Sequence, residues 1–178
     1  MNTRRTVRAA LFVVLASGVL SAATLLAQKV NTDSDPAAPF SSYKTYAWTN
    51  GTPAPNPLAD QRIHASVDQQ LAAKGLTKQA ENPDLIVATH VVTQQQKQFI
   101  SNGFGYGWYG GLGTVTEQTY IQGTLIVDLY DAHTKKMVWR GTGTDTASDK
   151  ADRNTKKVNK ALAKMFERYP GRPAAAND

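Results

Sequence analysis

The sequence predicts an α+β fold: a mainly antiparallel sheet of about four strands with two helices packed on one face, in the order β-α-β-β-β-α. Three patterns predict it. Two segments carry one apolar stripe each at helical spacing. The β-rich segments present one apolar face. Two of them are joined by a link short enough for an antiparallel hairpin. Helices lying on one side of such a sheet satisfy all three patterns at once.

The chain begins with a basic stretch (Arg4, Arg5, Arg8) followed by apolar Ala9 to Leu20, interrupted only by Ser17 and Gly18. Small residues follow, and Ser21-Ala22-Ala23 and Leu25-Leu26-Ala27 both offer cleavage sites. This is the pattern of a secretory signal peptide, read as residues 1–27 because polar chain starts at Gln28. A spanning helix wants about 20 apolar residues, and Ser17, Gly18, Ser21 and Thr24 dilute the stretch. No transmembrane segment is therefore expected once the signal is removed. The Arg4-Arg5 pair leaves the general and the twin-arginine export routes both open.

Residues 28–39, polar and rich in Asp, Ala and Pro, are expected to form an extended leader. A strand is then predicted over Phe40–Trp48, with Tyr43, Thr45 and Ala47 alternating against Lys44, Tyr46 and Trp48. After the loop Asn50–Pro55 a helix begins, with Asn56 as N-cap and Pro57 in the first turn. Ile63, Val67 and Leu71 form its stripe, and Gly75 and Leu76 close it. Asn82-Pro83-Asp84 is a turn, and Leu85–Thr93 reads as a central strand that polar Gln94–Gln98 either continues or leaves.

A glycine-aromatic loop follows, Asn102 to Gly113, and then the predicted hairpin. Ile121, Gly123, Leu125, Val127 and Leu129 line one face of its first strand. Asp131–Lys135 turns the chain, and Lys136–Thr144 returns antiparallel. The last helix is predicted from Ser148, as N-cap, to Tyr169, with Ala151, Thr155, Val158, Leu162, Met165 and Phe166 as its stripe and Pro170 as its stop. The domain organisation is thus signal peptide 1–27, leader 28–39, one α+β domain 40–169 and a disordered tail 170–178.

Composition narrows the function classes. The formal charge of +6 falls to +3 once Arg4, Arg5 and Arg8 are removed, leaving 17 basic against 14 acidic residues, too mild for nucleic-acid binding. The late basic residues, Lys150, Arg153, Lys156, Lys157, Lys160 and Lys164, interleave with the apolar stripe of a helix and read as its solvated face. Cysteine is absent, so disulfides and a cysteine-linked lipid anchor are excluded.

Five stretches are familiar together: Phe40-Ser41-x-Tyr43-Lys44-Thr45-Tyr46-Ala47-Trp48, Leu71-Ala72-Ala73-Lys74-Gly75-Leu76, Pro83-Asp84-Leu85, Gly123-Thr124-Leu125-Ile126-Val127-Asp128 and Val138-Trp139-Arg140-Gly141. In this order, over roughly residues 30–168, the chain resembles a bacterial envelope family known as domain of unknown function 4136. The resemblance implies an exported or lipid-anchored protein without an assigned activity, and it supplies no catalytic residues to carry over. The missing cysteine departs from the lipid-anchored members.

Chemistry-bearing motifs are sparse. Gly105-x-Gly107-x-x-Gly110 matches a dinucleotide fingerprint by letter, but it lacks the strand before and helix after that bring a helix N-terminus to the pyrophosphate. His64, His90 and His133 lie on different elements without metal-ligand spacing. Asp128 and Asp131 flank a strand end, Asp145 and Asp149 the entry to the last helix, and no G-x-S-x-G appears. Asn50-Gly51-Thr52 matches a glycosylation sequon by chance. No cofactor, metal or catalytic site is expected.

The aromatic residues of the loop, Phe104, Tyr106, Trp108 and Tyr109, either cover apolar surface of the fold or form an interaction surface. The expected function is an exported, non-enzymatic envelope protein, periplasmic or secreted, that binds another envelope component such as a protein or a cell-wall glycan. A small-ligand or glycan-binding module and an envelope hydrolase are the alternatives.

Overall fold

In the computed structural model, residues 28–102 and 114–171 are described; the signal-peptide reading and most of the predicted tail lie outside them. The chain runs β1 (Lys29–Ser34), β2 (Thr45–Trp48), α1 (Pro57–Ala73), β3 (Thr77–Lys78), β4 (Leu85–Asn102), β5 (Thr114–Asp131), β6 (Met137–Thr146) and α2 (Ala151–Glu167). The strands form one six-stranded sheet in the order β1-β6-β5-β4-β2-β3.

This corrects the expected mainly antiparallel four-stranded sheet: it has six strands and is mixed. β1, β6, β5 and β4 pair antiparallel, whereas β2 pairs parallel with both β3 and β4. The parallel half follows from α1. A helix between two strands carries the chain back to the end where it started, and strands joined by such a crossover lie parallel. The predicted strand at Phe40–Trp48 shortens to Thr45–Trp48, with Phe40 and Tyr43 buried in the turn that precedes it. The leader supplies β1, which hydrogen-bonds along β6 from Lys29↔Thr144 to Ser34↔Trp139.

The ends of α1 are set locally, as the sequence predicts. Asn56 Oδ1 accepts the N–H groups of Leu58 (2.9 Å) and Ala59 (3.4 Å). At the other end Gly75 takes φ of 80°, and Leu76 N–H donates to Leu71 O (3.0 Å), the six-to-one bond that closes a helix. The start of α2 differs from the expectation. Its N-cap position is Lys150, which makes no side-chain cap bond. Ser148 is held instead from inside the helix, where Asn154 accepts from its N–H and donates to its C=O (both 2.7 Å).

Both helices cover the sheet face that carries Leu85, Val87, Leu125, Val127, Leu129 and Trp139, all buried. Two positions of β6 are crowded, Gly143 by α2 and Gly141 mainly by the Trp139 ring of β6 itself. A Cβ on Gly143 would stand 2.5 Å from Met165 Cε and 3.0 Å from Ala161 Cβ, and one on Gly141 would stand 2.6 Å from the Trp139 ring. Trp139 and Phe166 lie with ring centroids 5.1 Å apart, and Tyr169 meets Trp139 edge-on at 5.9 Å. α1 is tied down through Asp68, whose Oδ1 accepts from Tyr46 OH and Trp48 Nε1, both at 2.8 Å. Burial, with the Asp68 contact, pushes the Tyr46 hydroxyl pKa up.

Candidate functional site

β4 and β5 pair over eighteen residues each, far beyond the rest of the sheet. β6 stops pairing with β5 at Gln122↔Thr146, and beyond that point β4 and β5 continue alone from Gln95↔Ile121 to Asn102↔Thr114. Eight residue pairs at about 3.3 Å per residue make a two-stranded arm of about 25 Å. Such a ribbon has free hydrogen-bonding groups on both edges and is marginal in water by itself.

Alternation decides what the arm displays. The residues continuing the helix-covered face are Gln95, Lys97 and Phe99 on β4, with Val115, Glu117, Thr119 and Ile121 on β5. Phe99, Val115 and Ile121 are 66%, 64% and 52% exposed, and all three share this face. Lys97 and Glu117 pair across it at 2.6 Å, which leaves the arm with no unpaired charge. The opposite face is mainly glutamine and threonine, with Ile100 as its one exposed aliphatic residue. These three apolar residues share one face of the ribbon and lie outside the buried core.

The arm also locates the sequence-predicted site residues. Asn102 and Thr114 close the paired region, so Phe104, Tyr106, Trp108 and Tyr109 belong to the connection at its far end, and that connection lies outside the described residues. Gly105, Gly107 and Gly110 of the nucleotide-like fingerprint lie there too. The sequence does not single out Phe99 or Val115, and it places Ile121 only on the apolar face of the hairpin's first strand. Their signal was the period-two alternation of Gln94–Ser101 and Val115–Ile121, which reveals a shared face only once the pairing register is known.

The sheet face without helices carries a polar cluster. Asp128, fully buried, accepts from Arg140 Nε and Nη2 at 2.6 Å each. These bonds raise the Arg140 pKa further above its ordinary value. Tyr130 OH approaches the same carboxylate at 3.4 Å, and its pKa is raised by burial and then by that charge. His90 Nε2 lies 3.7 Å from Asp128 Oδ2, beyond hydrogen-bond distance, while Thr52 N–H donates to His90 Nδ1 (3.2 Å). The two-pronged guanidinium fixes the orientation of this carboxylate.

Asp84 and Asp131 are similarly engaged. Asp84 accepts the N–H groups of Lys44 and Thr45 (2.8 and 2.9 Å), and these bonds, that of Lys44 foremost, hold its pKa below the usual carboxylate range. Asp131 accepts from Thr134 N–H, His133 N–H and Tyr43 OH, and its pKa is lowered chiefly by the Thr134 bond. His64 stacks on Trp48 at 4.2 Å, and His133 sits in the β5–β6 turn. Among the described residues no three His, Asp or Glu side chains converge as a metal site.

Comparison with known proteins follows the fold. A PDZ domain protein from Parabacteroides distasonis is similar in structure, with a TM-score of 0.55 and 16% identity over 80% of this chain. This chain spans only 36% of that protein's length, so the likeness is one of fold. PelC from Paraburkholderia phytofirmans, solved as a dodecamer, gives 0.48 and 16% identity over 79% of this chain and 99% of its own. The lipoprotein GNA1162 from Neisseria meningitidis gives 0.41 and 9% identity over 70% and 98%. Among curated proteins no sequence match is found. The family model described as "Domain of unknown function (DUF4136)" matches residues 30–171, and the chain belongs to that family.

Proposed function

We propose that this protein is a non-enzymatic binding module of the bacterial envelope, exported through residues 1–27, that engages another envelope protein through the β4–β5 arm. The observation that carries this reading is the exposure of Phe99, Val115 and Ile121 on one face of a ribbon that leaves the sheet. A projecting ribbon with both edges open and three apolar residues outside water's reach only when covered gains stability from a partner. The glycine-aromatic segment at its far end extends the same chemistry, since Tyr and Trp favour interfaces. The absence of catalysis is supported by the commitment of Asp68, Asp84, Asp128 and Asp131 to internal hydrogen bonds.

The test is co-purification after crosslinking in intact cells, comparing the natural sequence with a Phe99→Ser, Val115→Ser, Ile121→Ser variant. These side chains already face water, so the variant keeps its melting temperature. A defined protein captured by the natural sequence and lost from the variant supports the reading. Equal capture by both, or capture by neither, overturns it.

A further inference from the structure

Three glycines lie on the helix-covered face of β5 and β6, and only two are explained by the protein's own packing. Gly141 and Gly143 make room for Trp139, Met165 and Ala161. Gly123 makes room for nothing in the chain: a Cβ there would meet only Asp145 O, at 3.9 Å. Nor does it need glycine's conformational freedom, since Gly75 alone among the described glycines has positive φ. Glycine inside a strand weakens it, and where no backbone constraint requires it, it marks a place that something else approaches closely.

Above Gly123 both helices border one space. The space between them and the sheet is an apolar cleft of about 240 Å³, walled by Ala59 and Ile63 of α1, Val158 and Ala161 of α2, and floored by Leu125 and Gly123. A second chamber of about 290 Å³ shares Ala59, Ile63 and Val158 with it, so the space continues outward between the helices. This outer chamber adds Arg62, Ser66 and Asp149 to the lining, while Asn154 borders both chambers. The cations at the two ends differ. Lys157, beside the inner cleft, is spent on Asp145 Oδ1 (2.9 Å) and Thr146 O (2.7 Å). Arg62 has no carboxylate partner among the described residues.

We propose that this cleft binds a single-chain fatty acid, with the acyl chain lying over Gly123 and the carboxylate turned toward Arg62. A dry apolar cavity of about 150 Å³ takes benzene, so on the same scale the inner cleft takes about ten carbons. An apolar inner end, a polar outer end and one free guanidinium match an amphiphile with an anionic head. This site is separate from the arm and does not depend on the partner-binding reading.

The experiment is titration calorimetry of the purified protein with decanoate, kept below its micelle concentration, and with decanol. One decanoate per chain is expected. Gly123→Leu, whose Cβ meets the backbone only at Asp145 O and at an ordinary contact distance of 3.9 Å, fills the floor and weakens binding at least tenfold. Val158→Phe, which fills the cleft from the helix side, does the same and serves where Gly123→Leu does not fold. Arg62→Gln weakens decanoate at least threefold and leaves decanol unchanged. No uptake by the natural sequence, or equal uptake by a folded, filled variant, overturns the site. Equal decanoate binding by Arg62→Gln overturns the placement of the carboxylate.

Discussion

Asp128 and Arg140 stand directly opposite each other on β5 and β6, and two N–H···O bonds of 2.6 Å join their side chains. The pair sits on the sheet face that no helix covers, yet Asp128 has no exposed surface. Arg140 is thus both counter-ion and lid for this carboxylate. Replacing it with alanine strands a buried charge. Because Arg140 itself keeps part of its surface in water, the expected loss for Arg140→Ala is about 2–3 kcal/mol, read as a lowered urea midpoint.

The contact between α2 and β6 gives a second prediction. Gly143 lies under Met165 and Ala161 with no space for a methyl group. Gly143→Val displaces the end of the Met165 side chain and crowds Ala161, and the expected destabilisation is about 1–3 kcal/mol. Gly123→Ala, two strand positions away from any such contact, leaves the melting temperature unchanged or raises it.

Asn56 closes the N-terminus of α1 by accepting from Leu58 and Ala59. Asn56→Ala removes that acceptor and is expected to cost about 1 kcal/mol, measured by thermal unfolding. Asn56→Gly, which keeps the cap conformation accessible, loses only a few tenths.

Asp84 and Asp131 set the acid limit of the fold. Both carboxyl pKa values lie below the ordinary range because backbone N–H groups bond the charged form. A group whose pKa is lower folded than unfolded adds stability above the unfolded value and loses it as pH falls through the folded one. Stability is therefore expected to hold above about pH 4 and to decline below it. Asp131→Asn lowers the urea midpoint at pH 7 and shrinks the difference between pH 7 and pH 3. An undiminished difference would show that Asp131 does not carry this dependence.

What the sequence reveals and what it hides divide along the range of the interactions. The Asn56 cap, Pro57, and the Gly75–Leu76 closure are made within a few residues, so α1 is legible from end to end. The β5–β6 hairpin is legible for the same reason. β1 is not, because an edge strand buries little: of Lys29–Ser34 only Val30 packs against the core. The parallel pairing of β2 with β4 depends on where α1 returns the chain, which no local pattern states. The arm stays undecided in the sequence because Gln94–Gln98 is polar, and a polar segment continues a strand or leaves it according to a partner strand that the local pattern does not state. The Asp128–Arg140 pair likewise follows from register, twelve residues apart in sequence.

The most direct test of the arm as the binding surface uses its two faces against each other. Phe99 and Gln98 are neighbours that point to opposite sides of the ribbon. A photo-crosslinking amino acid is placed at one position or the other, and adducts formed in living cells are separated by size. The arm reading predicts a discrete adduct from position 99 and little or none from position 98. Equal adducts from both positions, or none from position 99 in a folded protein, would contradict it.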